Sequence, residues 1–274
     1  MRRHRLLAVC AALGALFGGR LRATAEQAPA AEPPPLYWRL KASVGYHYSR
    51  GDYTGSDITT IQYVPLVLTA DVDRWRAQVI LPYLHIDGPP GIIEGPSGPI
   101  ETDGAAGGLG DLLLRGSYLL PLQSWLPPAW SAEAWVPYVD LIGLVKFPTA
   151  SRADGLGTGE YDFGIETGLT WTIGHLSPFA NAGYRFLGSP PGTHLDDVFT
   201  GSVGAMYQFL ATLNGGLLLD YRQAPTEETG ERLELVPFGS WTFIAPWSLD
   251  AYVSAGLANG SPDFGTGVQI GYTW

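Results

Sequence analysis

The 274-residue sequence predicts an all-β fold, a 12-stranded antiparallel transmembrane β-barrel. Three observations predict it. Hydrophobic residues make up 46% of the chain and charged residues only 15%, against ~25% charged in a typical soluble domain. Beyond residue 20, however, no run of ~20 apolar residues occurs, as a membrane helix requires. Instead, apolar side chains recur at every second position through twelve segments, most of them longer than the ~5–6 residues of an ordinary strand. Spanning a bilayer at a tilt takes ~9–11 residues plus interfacial ends.

Composition also excludes other classes. Aromatics at 12% with so little charge do not fit a disordered chain. One cysteine makes neither a disulfide framework nor a thiolate metal site. A net charge of −10 argues against a nucleic-acid partner.

The N-terminus reads as an address. Arg2, Arg3, His4 and Arg5 precede the apolar stretch Leu6–Phe17, and Ala23-Thr24-Ala25 follows. That is the pattern of a cleaved signal peptide over residues 1–25. Cys10 follows Val9 and comes too early for lipidation. Removing residues 1–25, with five Arg and no acid, leaves 11 basic and 26 acidic residues, net −15. Residues 26–35, QAPAAEPPP with the preceding Glu, form a short Pro/Ala-rich linker. The barrel is expected over 36–274.

The strands are expected in order at 36–49, 58–70, 74–87, 109–121, 133–148, 161–173, 177–188, 197–210, 212–223, 231–245, 247–259 and 263–274. In the first, Trp38, Leu40, Ala42, Val44, Tyr46 and Tyr48 oppose Arg39, Lys41, Ser43, Gly45, His47 and Ser49. In the sixth, Tyr161, Phe163, Ile165, Leu169 and Trp171 oppose Asp162, Gly164, Glu166, Gly168 and Thr170. In the ninth, Leu213, Leu217, Leu219 and Tyr221 oppose Asn214, Gly216, Asp220 and Arg222. Apolar faces turn to lipid and polar faces to the lumen. Trp38, Trp75, Trp171, Trp241 and Trp274 near strand ends fit interfacial girdles.

Connections alternate in the same sense. Arg50–Asp57, Gly88–Gly108 and Ala150–Glu160 are long and rich in Gly, Pro and acid, whereas Asp71–Asp73, Gly174–Leu176, Ala211 and Pro246 are tight. Gln123–Ala132 is the long exception on the tight side. Short periplasmic turns, longer outer loops and an even strand number place both termini in the periplasm of a Gram-negative envelope. The last strand ends on Val268, Ile270, Tyr272 and Trp274. That ending resembles the terminal signal read by the barrel-assembly machinery, so outer-membrane lipids and that machinery are the expected partners.

Four motifs carry a family resemblance: Leu81-Pro82-Tyr83, Gly108-Leu109-Gly110-Asp111-Leu112, Lys146-Phe147-Pro148-Thr149 and Gly157-Thr158-Gly159-Glu160-Tyr161-Asp162. Their order and spacing resemble the outer-membrane family named for the meta-cleavage pathway of phenol degradation, over about residues 37–274. The resemblance implies a barrel and passage of small, often aromatic, compounds; it supplies no catalytic residues. Physically, Gly108 and Gly110 are expected to adopt conformations closed to other residues as a long loop enters a strand. Gly157 and Gly159 end the next loop, and Asp111 and Asp162 point inward below the rim.

Alternation gives the solute-path candidates Arg76, Asp111, Arg115, Tyr138, Asp140, Asp162, Glu166, Arg185, Asp220 and Arg222. Arg39, Lys41, Arg74, Arg232, Glu234, Asp250 and Asp263 share their face. Ile80, Pro82, Leu84, Ile86, Val136, Ile142, Leu144, Phe179, Phe238 and Tyr252 also point inward. This apolar set fits a path for small hydrophobic or aromatic solutes. It equally fits packing by an infolded loop, for which Gly88–Gly108, with Ile92, Ile93 and Ile100, is the candidate. A structural or surface-interaction barrel without transport is the alternative reading. A lipid hydrolase built on His47-Tyr48-Ser49 is a third: i and i+2 share a face, as base and nucleophile must. Alternation, however, puts both inside, so no enzyme is expected. His85, His175 and His194 lack ligand spacing, so neither metal nor cofactor is expected.

Overall fold

The computed structural model describes residues 38–53, 57–102, 104–126 and 136–274. The expected signal peptide (1–25), the linker (26–35), residues 36 and 37, and most of the 123–132 link lie outside them. The strands are β1 (Trp38–Gly51), β2 (Thr59–Val72), β3 (Trp75–Asp87), β4 (Gly91–Gly95), β5 (Gly98–Thr102), β6 (Ala106–Leu109), β7 (Leu112–Leu120), β8 (Tyr138–Phe147), β9 (Asp162–Thr170), β10 (Leu176–Phe186), β11 (Val198–Leu210), β12 (Leu213–Arg222), β13 (Arg232–Ile244), β14 (Trp247–Gly256) and β15 (Phe264–Thr273). A helical turn at Leu122–Trp125 opens the link after β7.

Consecutive strands of the wall pair antiparallel, β3 pairs with both β6 and β7, and β1 pairs with both β2 and β15. With β6 and β7 counted as one stave, twelve staves close on themselves. Closure leaves no unpaired edge, which is what a sheet in hydrocarbon needs, because lipid offers no hydrogen bonds.

The side chains sort as the alternation requires. Leu40, Val44, Leu66, Leu68, Val79, Leu81, Ile165, Val203, Leu217, Val268 and Ile270 are exposed on the outside. Lys41, Ser43, Arg76, Gln78, Arg115, Asp140, Asn214, Ser240, Asp250 and Gln269 are buried inside. Tryptophan collects at the short-turn end, where Trp38, Trp75 and Trp274 are exposed and Trp247 stacks edge-on with Tyr272. Tyrosine and phenylalanine collect at the long-loop end, in the Phe147–Tyr161–Phe163 series and the Tyr184–Phe186 pair. Two aromatic belts of this kind suit two membrane–water interfaces.

Three local expectations need correction. The single strand at 109–121 is broken: β3 pairs Tyr83 with Leu109 but Ile80 with Leu113, a one-residue register shift. Gly110 and Asp111 are both buried across this bulge, so two consecutive residues face inward, as a bulge allows. Second, Gly108 and Gly110 have no left-handed backbone; Gly159 does, at φ +74°. Their smallness serves close approach instead. A Cβ on Gly108 would lie 2.7 Å from the Leu156 side chain, and one on Gly110 2.8 Å from Leu84. Third, Asp263 precedes β15 and is exposed rather than lumenal.

The 88–108 loop folds into the barrel. Its β4–β5 hairpin is a two-stranded sheet of its own, separate from the wall. Ile93 and Ile100 are buried with Tyr53, Ile61, Tyr63, Leu84, Ile86, Ala150 and Leu156. Of the two readings of the inward apolar face, packing by this loop is the arrangement present.

Candidate functional site

The lumenal candidates fall into three groups along the barrel axis. At the short-turn end, Asp71 at the end of β2 accepts from Arg39 (2.7 Å) and from Arg76 (2.6 Å). Nearby, Lys41 lies 3.6 Å from Asp250, which Ser240 also contacts. Gln78 donates to Thr69 (3.1 Å) and Gln269 to Ser43 (2.6 Å). Asp140 is 2% exposed on this half, and Tyr138 opens β8 half-buried beside it. Asp71 is thus met from the two strands beside it, and Lys41 and Asp250 face each other across β15.

At the long-loop rim the four Gly-rich and Pro-containing motifs converge on one buried cluster. Lys146 is 1% exposed and lies 2.7 Å from Asp162, 3.6 Å from Asp111 and 3.2 Å from the Thr158 hydroxyl. Asp111 also accepts from the Ala150 amide (2.9 Å), and Asp162 from the Gly188 amide (3.0 Å). Thr149 bonds both flanks of the bulge, accepting from Leu112 N (2.8 Å) and donating to Gly110 O (3.2 Å). A Cβ on Gly157 would come 2.9 Å from the Asp111 carboxylate. Two carboxylates around one ammonium, roofed by backbone amides, can be buried because every charge has partners. Gly108, Gly110, Gly157, Asp111 and Asp162 thus build a structural knot at the rim. Lys146 was absent from the candidates, although it stands two positions after inward-facing Leu144.

Between these two lies a belt of charge. Arg115 on β7 reaches across β8 to Glu166 on β9 at 2.5 Å, and Arg185 on β10 lies 3.7 Å from the other oxygen of Glu166. Arg232 pairs with Glu234 on β13, directly beside Arg222 and Asp220 on β12. Arg222 is met by the hairpin: Glu94, 4% exposed, forms its ion pair. The hairpin therefore touches opposite walls. Its isoleucines pack on β2 and β3, and its carboxylate docks on β12.

Beside the belt lies an aromatic patch. His47 Nδ1 is 3.1 Å from the Tyr252 hydroxyl, and its ring meets Tyr63 edge-on at 5.6 Å. Ser49 is bonded to the Tyr53 hydroxyl at 2.8 Å. His47 and Ser49 face the lumen, each held by a different tyrosine, and Lys41 is buried in register with them. Under the hairpin the free space amounts to about 60 Å³. A dry cavity that admits benzene has about 150 Å³. The space under the hairpin is therefore too small for an aromatic ring.

Among the described residues, no three His, Cys, Asp or Glu side chains come together as a metal site would need.

Several solved structures share the fold at low identity. The β domain of the Bordetella autotransporter BrkA superposes with a TM-score of 0.50 at 11% identity, covering 86% of this chain and 99% of that one. The NanC porin gives 0.48 at 11% over 85% and 97%, and the CymD monoaromatic hydrocarbon channel 0.44 at 9% over 86% and 87%. No curated protein matches in sequence. A family model does, over residues 53–274, a span that takes in all four motifs and the knot they build. The chain belongs to the family described as "Putative MetA-pathway of phenol degradation".

Proposed function

We propose that the protein resides in the bacterial outer membrane, exported by a signal peptide cleaved after residue 25, with both termini in the periplasm. There it mediates passive passage of small hydrophobic or aromatic compounds. The outward row Val268, Ile270, Tyr272 and Trp274 is offered to the assembly machinery from the last strand. The protein is not an enzyme in this reading. His47 and Ser49 lie in the lumen, away from the lipid.

One observation carries the transport reading: the long-loop half of the lumen is filled by a loop as well as by the wall. Where a barrel serves only as an anchor, inward side chains alone can fill it. Here the long-loop half of the inward face of β2 and β3 is apolar, with Ile61, Tyr63, Leu84 and Ile86, and it is covered by the β4–β5 hairpin. Withdrawing that hairpin uncovers an apolar wall facing a belt of arginine and carboxylate, a surface suited to an amphipathic solute. Family membership supports the same reading.

The test is planar-bilayer conductance together with liposome uptake of aromatic solutes. Wild type and a variant lacking residues 91–102 are compared. The variant is expected to conduct and to take up solute at least tenfold faster. A barrel sealed in both assays, with the hairpin deleted too, overturns transport and leaves a structural or surface-interaction barrel.

A further inference from the structure

We propose that Glu94 is a built-in stand-in for the carboxylate of the solute. The Arg222–Arg185 site it occupies would then bind small organic acids with an aromatic or apolar body.

The hairpin tip carries a contradiction if its only role is to fill space. Alternation along β4 puts Ile93 against the apolar wall, whereas Glu94 is aimed the other way, into the belt. Burying a carboxylate is costly unless it is paired. An apolar or amide side chain would fill the same space without that cost. The belt explains the carboxylate. On the wall, Arg115, Arg185, Arg222 and Arg232 face Glu166, Asp220 and Glu234 among the described residues. The fourth acid comes from the hairpin, so its withdrawal leaves one arginine in excess, at Arg222.

The fit of Glu94 is also incomplete. It meets Arg222 through a single guanidinium nitrogen and one oxygen, Oε1. Its Oε2 and the Nε of Arg185 are both buried with no hydrogen-bond partner among the described residues. Arginine binds carboxylates best through two parallel N–H donors. A free acid is not tethered to a strand and can turn both oxygens onto the belt. Beside the arginines the same space is lined by Ile80, Leu113, Leu144, Val236, Tyr63 and Tyr252. These would take the body of the acid once the hairpin leaves. The predicted ligand is therefore anionic at one end and aromatic or apolar at the other. A neutral hydrocarbon would gain nothing from Arg222.

This inference deepens the transport reading and uses the same hairpin movement, so its test reads binding rather than flux. Benzoate and its neutral counterpart benzyl alcohol are titrated calorimetrically into detergent-solubilised wild type, E94Q and the variant lacking 91–102. Heat-modifiable gel mobility reports that each barrel is folded. Benzoate is expected to bind E94Q and the deletion variant at least tenfold more tightly than wild type, because the internal competitor is weakened or gone. Arg222→Gln in the E94Q background should abolish that gain, and benzyl alcohol should distinguish none of the variants.

Equal benzoate affinity in wild type and E94Q overturns the proposal, as does retention of the gain without Arg222. So does a gain shared by benzyl alcohol. If the deletion variant does not fold, E94Q alone decides. Conductance without benzoate preference sinks the acid site and leaves transport standing. Benzoate binding without any flux does the reverse.

Discussion

The two halves of the lumen are closed by different means. In the short-turn half, Arg39, Asp71 and Arg76 join the consecutive strands β1, β2 and β3, and Lys41 on β1 reaches across β15 to Asp250 on β14. Opening that half would mean breaking ion pairs made by the wall's own side chains. In the long-loop half, the occluding atoms belong to β4 and β5, which hydrogen-bond as a separate sheet and meet the wall through side chains, as Glu94 meets Arg222 and Ser97 meets Tyr63. Opening that half costs the hairpin's own contacts and leaves every strand pairing intact. Closure is therefore part of the fold at one end and a removable insert at the other. In the proposed reading, the rim knot around Lys146 keeps the loop bases in place while the insert moves.

The comparison breaks first at the knot, where the largest effect is expected. Lys146→Met leaves the carboxylates of Asp111 and Asp162 buried together without their cation. Removing one partner of a buried ion pair costs about 3–5 kcal/mol. Urea unfolding in lipid vesicles should show a loss of that order. A loss under about 1 kcal/mol would mean that water reaches the site and that the rim is no rigid frame.

Ile93→Ala probes the insert. It removes a buried side chain, 6% exposed, from the hairpin's packing against β2 and β3, at about 2–5 kcal/mol of docking free energy. That loss should appear as more frequent openings in single-channel records, with the unfolding midpoint of the barrel unchanged. A shifted midpoint with silent records would make the hairpin part of the wall. Asp71→Asn probes the other half. Its partners are partly solvated, with side-chain exposures of 9–14%, so about 1–3 kcal/mol is expected. The conductance of the hairpin-deleted protein should not change with it.

The wall was legible in the sequence because each strand repeats its in–out pattern over ten or more residues, and any one violation is outvoted. Trp38 to Ser49 declares its faces six times over. The insert was only half legible. Ile92, Ile93 and Ile100 marked the 88–108 loop as infolded, but five-residue strands between Gly and Pro carry too few alternations to show a hairpin. Glu94 is marked in the sequence only as an acid directly after two isoleucines in a segment expected to be buried. The bulge at Gly110–Asp111 was invisible, since a one-residue register shift leaves the alternation on either side of it intact. The knot was legible as four motifs but not as one object. Its members are separated by loops, and nothing in alternation says that Lys146 reaches both Asp111 and Asp162.

The smallest effect is expected at Ser49, and it bears on whether the lumenal aromatic patch does chemistry. Ser49→Ala removes a 2.8 Å bond to Tyr53, worth about 0.5–1.5 kcal/mol. Burial pushes the Tyr53 phenol from 10.0 up to about 12, so the folded chain keeps a proton that the unfolded chain releases. The stabilising contribution of that group is whole below pH 10 and is lost as pH rises toward about 12. Ser49→Ala should therefore lower stability slightly and evenly across neutral pH. Phospholipid and ester hydrolysis should stay at background in both proteins. Hydrolysis by the wild type that disappears in Ser49→Ala would overturn this, because it would require His47 to leave Tyr252 and serve Ser49 as a base. That exchange would turn the patch beside the belt from a set of structural contacts into a reaction site.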